Sequence, residues 1–195
     1  MKRRVFDILV SVAGLIGVLG LIIVGSLALV GYNFAESSVH TQLAEQQIYF
    51  PIAAAFAHAK AGTEITPGMI PYLEQYAGQE VLTGAQAEAY ADHFIAVHLS
   101  EMPYHGVYSQ ISAAAQKDPS NAALKGLEQA SFQGTTLRGL LLEAYAFSIF
   151  ATLAFWATIV AYTGAFILLI LVMFGFWHAE ATPETKEMLA HRSIA

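Results

Sequence analysis

Two uninterrupted apolar stretches, Ile8 to Val30 and Ala144 to Trp177, bracket a middle segment whose apolar positions recur at helical spacing. The first stretch has 23 residues without a charge, and a helix of about 20 residues crosses roughly 30 Å of hydrocarbon. It predicts a first transmembrane helix. The second stretch has 34 uncharged residues, more than one crossing requires. Trp177 and His178 suit a membrane interface, and Trp156 lies 21 residues before Trp177, about 31 Å along a helix. Two tryptophans then bracket one bilayer, which leaves the apolar segment Leu140 to Phe155 outside the hydrocarbon or at its outer edge, in need of cover. A tilted span beginning nearer Tyr145 is the competing reading.

The middle segment reads as a series of helices. Alanine and glutamine are abundant, β-branched residues are sparse, and no alternating run suggests a strand. Helix one is expected to run on through YNFAESSVHTQLAEQQIYF and to stop at or before Phe50, because Pro51 disfavours helical geometry in its predecessor. ITPGMIPYLEQYAG predicts a short helix with Thr66 as N-cap. Thr83 with Gln86 predicts a capping box opening the next helix, and Pro103 should end it near Met102. VYSQISAAAQK predicts a helix, DPSN a turn, AALKGLEQA a further short helix, and a long helix follows from about Thr135 into the second span. The predicted fold is all-α: two transmembrane helices flanking, and continuing into, a small extracytoplasmic helical bundle. Its expected divisions are residues 1–7 in the cytoplasm, 8–31 as the first span, 32–150 outside, 151–177 as the second span and 178–195 as a cytoplasmic tail.

Charge sets the orientation. Lys2, Arg3 and Arg4 precede the first span and Lys186 and Arg192 follow the second, so the expectation is a plasma-membrane protein with both termini in the cytoplasm. MKRR resembles the start of a signal peptide, but signal h-regions run about 7 to 15 residues, so an uncleaved anchor is expected. From Tyr32 to Glu143 eleven acidic residues face four basic ones, a net charge of −7, which argues against nucleic acid as a partner. The expected partners are the lipid bilayer and other membrane proteins, or a second copy. The chain contains no cysteine, which removes disulfides, thiolate nucleophiles and cysteine-ligated metals.

Candidate chemistry concentrates in GAQAEAYADHFIAVHLSEMPYH, Gly84 to His105, with three histidines and three carboxylates. Steps of four and three place Ala87, Ala91, Phe94, His98, Glu101 and His105 on one side of a continuous helix, with Asp92 and His93 pointing elsewhere into solvent. His98, Glu101 and His105 are thus candidate metal ligands, the donor set of a facial triad for iron or of a zinc site with one open position. The bland reading is hydrogen bonding at a helix end near an interface. Tyr90, Tyr104 and Tyr108, with Tyr72 and Tyr76, are candidates to line a pocket for a lipid tail or quinone. Ala13, Gly14, Gly17 and Gly20 are candidate helix-packing positions, since small residues let helices approach closely. There is no nucleophile elbow, phosphate-binding glycine loop or H-E-x-x-H, and no cofactor is implied.

SSVHTQLAEQQIYFP, TGAQAEAYADHFIAVHLSEMPY and FQGTTLRGLLLEAYAF together resemble a group of uncharacterised two-span membrane proteins of high-GC Gram-positive bacteria. The resemblance spans nearly the whole chain and implies topology and location. Some similar sequences bear the label aromatic ring-opening dioxygenase. Those enzymes hold iron through histidines and a carboxylate on scaffolds without membrane spans, and no motif of theirs places His98, Glu101 and His105, so the activity is not carried over. The expected role is that of a non-enzymatic accessory or scaffolding subunit of a cell-envelope complex. The alternative is a membrane protein that binds a metal or small apolar ligand in its outward domain.

Overall fold

The computed structural model describes residues 2–183 together with 186 and 187. Met1, and residues 188–195 of the expected tail with Arg192, lie outside the described residues. Among the described residues seven α-helices follow in order: α1 (Arg3–Gln46), α2 (Ala53–Ala57), α3 (Ile70–Leu73), α4 (Gly84–Tyr90), α5 (Ala96–Glu101), α6 (Tyr108–Lys117) and α7 (Ala122–Ala181). No strand occurs among the described residues. The chain divides into two compact units, one formed by residues 34–151 and the other by residues 1–33 with 152–195. Both α1 and α7 contribute to each unit, and both are long and apolar enough to cross a membrane.

In the unit formed by the chain ends, α1 and α7 pack as an antiparallel pair. Gly14 lies against Val172, Gly17 against Leu168, Gly164 against Leu21 and Gly25 against Ala161 and Tyr162. The ring of Tyr32 meets that of Phe155 at 5.4 Å. The less exposed positions on α1, namely Ser11, Gly14, Val18, Leu21, Gly25, Ala28 and Tyr32, recur every three or four residues. Those on α7 do the same, through Ala151, Ala154, Thr158, Ala161, Ala165, Leu168 and Val172. This is the spacing of a coiled-coil seam, built here largely from Gly, Ala, Ser and Thr so that the backbones come close. The seam's hydroxyls stay within the protein: Thr158 Oγ1 donates to the Ala154 carbonyl at 2.9 Å, and Ser26 and Tyr162 hydroxyls bond at 3.0 Å. At one end of the pair His178 Nδ1 meets Asp7 Oδ2 at 3.0 Å. Of the expected packing residues, Gly14 and Gly17 therefore sit in the seam. Ala13 is exposed, and a Cβ on Gly20 would meet nothing within 4 Å.

The unit of residues 34–151 has its own core of Val39, Leu43, Phe50, Phe56, Met69, Leu73, Val81, Ala87, Ile95 and Leu141. α1 ends at Gln46, before Pro51 as expected, and Gln47 turns the chain in a left-handed conformation. The extended segments on either side of α2 and α3 are tied by Phe50 N donating to Gln79 O and Val81 N to Ile48 O, both at 2.8 Å. The α4 capping box is present: Gln86 N donates to Thr83 Oγ1, and Gln86 Oε1 accepts from Thr83 N, a cap that contributes about 1 kcal/mol. Thr66 stands at the expected N-cap position but forms no side-chain cap, and the helix after it is a single turn between two tighter 3₁₀ turns.

Two expectations are corrected. AALKGLEQA is not a separate short helix but the start of α7, which runs unbroken for 60 residues. Within it Leu99 packs against Gly134, where a Cβ would stand 2.9 Å from Leu99 Cδ2. The helix that opens at Gly84 is likewise not regular. A π turn at Ala91–Ile95 separates α4 from α5, adding a residue to the turn and changing which side chains face inward.

Candidate functional site

The π turn decides the geometry of the segment Gly84 to His105. Ala87, Ala91 and Ile95 form the buried stripe at intervals of four, so residues beyond them are displaced from the face that a regular helix would give. Asp92 and His93 take partners within the unit while staying partly exposed, where full solvation was expected. Asp92 pairs with Arg138 Nη2 across to α7 at 2.5 Å, and His93 lies flat on Tyr72, with ring centres 3.5 Å apart and planes within 3°.

α5 ends at Glu101, and Pro103 starts a tight turn to Gly106 in which Tyr104 and His105 both have positive φ, 58° and 53°. His105 therefore leaves the helix instead of completing another turn of it. His98 is half-buried and its Nδ1 donates to the Phe94 carbonyl at 2.7 Å, whereas Glu101 and His105 are exposed. A carbonyl only accepts, so Nδ1 carries the proton and Nε2 is the nitrogen left for another partner. Among the described residues no group of three or more His, Asp or Glu side chains is placed to hold a metal ion.

The tyrosines are similarly dispersed. Tyr90 is half-buried between Phe50 at 5.4 Å and Phe94 at 4.7 Å, and Phe50 also meets Tyr76 at 5.0 Å. Burial, with Glu64 adding to it, holds the Tyr90 hydroxyl above its ordinary pKa. Tyr104 is exposed on the left-handed turn. Tyr108 packs instead on Phe132 of α7 at 5.5 Å. Tyr76, Phe50, Tyr90 and Phe94 thus form one run of ring contacts at the core, to which Tyr104 and Tyr108 do not belong.

A concave surface does exist in this unit, between α1 and α7. It is a groove of about 330 Å³ whose walls include Phe34, Val39 and Leu43 from α1 and Leu137, Leu141 and Phe147 from α7. Ser38, Gln42, Gln46 and Glu143 supply its polar atoms. Its α7 wall falls on the surplus apolar segment that the sequence pointed to. The α1 wall was not expected, although Phe34, Ser38 and Gln42 follow one another at intervals of four. Nor does any sequence signal pair Asp92 with Arg138, 46 residues away. Compared with known protein families, curated proteins and solved structures, the chain matches none.

Proposed function

We propose that this chain is a two-span integral membrane protein with both termini in the cytoplasm, the unit of residues 34–151 facing outward, and that it serves as an accessory or scaffolding subunit of a cell-envelope complex. The observation that carries the reading is the surface of the paired helices. In the most apolar window of α1 and of α7 only 17% of residues are buried, and Ile16, Ile23, Leu27, Val160, Phe166 and Leu171 are among the large apolar side chains left bare. A soluble protein does not carry an apolar surface of that extent, and lipid covers it without cost. Lys2, Arg3 and Arg4 at one end of α1 and the acidic middle segment at the other support the orientation.

The scaffolding reading is supported by what the outward unit offers: a packed helical core with an acidic surface and broad apolar flanks on α7, where Leu140 and Phe150 are also exposed. Extraction of tagged protein in mild detergent, followed by the mass and composition of the intact particle, tests this. A particle with defined additional subunits is expected. A homogeneous particle of this chain alone would overturn the accessory role while leaving the membrane reading intact.

A further inference from the structure

We infer that the groove between α1 and α7 in the unit of residues 34–151 binds one acyl chain of a membrane phospholipid with a zwitterionic headgroup. The inference rests on the two-span reading above. Three observations identify the occupant. The first is size and lining: a groove of about 330 Å³ with mainly apolar walls lies within the range of small-ligand pockets. A flexible hydrocarbon chain can fill it. The second is the run of apolar residues on a single helix face. Leu27, Val30 and Phe34 follow each other on α1 by three and four residues, all about two-thirds exposed, and Phe34 is itself a wall of the groove.

The third observation is charge. Glu143 is the one charged residue among the groove's lining side chains, joined by the amides of Gln42 and Gln46 and the hydroxyl of Ser38. The carboxylate of a free fatty acid, or an anionic phospholipid headgroup, would meet a like charge there. An ammonium-bearing headgroup meets a carboxylate and three neutral polar side chains, two of them with amide oxygens that accept its N–H bonds. The walls remove the chain's methylenes from water or from a polar interface, which supplies the binding free energy.

The test uses the full chain reconstituted in phosphatidylcholine vesicles containing a trace of phosphatidylethanolamine with a photoreactive diazirine near one acyl terminus, with crosslinks located by mass spectrometry. The exposed span residues Ile23 and Phe166 report on insertion, and Glu36 and Thr41, on the exposed polar side of α1, supply the background. The expected result is labelling at Ile23 and Phe166 and also at the groove walls, Val39, Leu43 and Leu141, well above that background. Ala144 also lines the groove. Ala144→Trp should lower wall labelling about tenfold, as expected when two or so methylenes lose their burial, and leave Ile23 and Phe166 unchanged. If that variant does not fold, Phe34→Ala, at an exposed wall, gives the same comparison. A phosphatidylglycerol probe should label the walls less than the phosphatidylethanolamine probe. Labelled spans with walls at background would overturn the groove assignment alone. Equal labelling by the two headgroups would overturn its headgroup preference. Absence of labelling at Ile23 and Phe166 would overturn the membrane reading on which it stands.

Discussion

Gly106 occupies a corner that only glycine fits. Its φ is +68°, and a Cβ would stand 2.4 Å from the Leu99 carbonyl oxygen. The same residue's carbonyl accepts a 2.7 Å bond from Ser131 Oγ, which is fully buried on α7. Gly106→Ala should therefore cost about 2 kcal/mol or more through strain and overlap, and Ser131→Ala about 1 to 3 kcal/mol through the orphaned carbonyl. Both are read from denaturation in detergent, with retention of full stability in Gly106→Ala contradicting the geometry. Tyr90 yields a pH prediction. Its folded pKa lies above the ordinary value of about 10, so its neutral hydroxyl contributes stability fully below that pH. The contribution is lost as pH rises from about 10 through the folded value, because the unfolded chain ionises first. Tyr90→Phe should flatten the alkaline part of a stability-against-pH curve. An unchanged slope would show that Tyr90 is not the group responsible.

At the scale of elements, the seam between α1 and α7 distinguishes glycines that the sequence groups together. A Cβ on Gly14 would stand 2.6 Å from Val172 Cγ2, while one on Gly20 meets nothing within 4 Å. Gly14→Leu should destabilise the pair by about 1 to 3 kcal/mol through overpacking, and Gly20→Leu should stay within about 0.5 kcal/mol. Thermal denaturation of both variants in one detergent decides it, and equal effects would contradict the seam. The helical character of the chain, the end of α1 before Pro51 and the Thr83–Gln86 cap were legible because each depends on residues close in sequence. The π turn at Ala91–Ile95 was not legible, since the residues there suit a regular helix equally well and the bulge coincides with tertiary contacts, the Asp92 to Arg138 pair and the His93 to Tyr72 stack. That one local departure, together with the left-handed Tyr104 and His105, is why the histidines and Glu101 do not gather on one face.

For the whole molecule, the account joins two kinds of surface in one chain. One pair of helices exposes apolar side chains over most of its circumference, and the acidic helical unit that lies between them in sequence keeps a packed core of its own. The first surface favours lipid and the second favours water, and the proposed topology puts Lys2, Arg3 and Arg4 on the cytoplasmic side. The chain has no cysteine, so single cysteines can be introduced on a silent background. The most direct measurement is the reaction of a membrane-impermeant maleimide with Thr41→Cys, Ile23→Cys and Lys2→Cys in expressing cells. The account predicts that Thr41→Cys reacts in intact cells, that Lys2→Cys reacts once the membrane is opened, and that Ile23→Cys stays unreactive until detergent is added. Ile23→Cys reacting as readily as Thr41→Cys without detergent would contradict it, because the apolar face of α1 would then be in water.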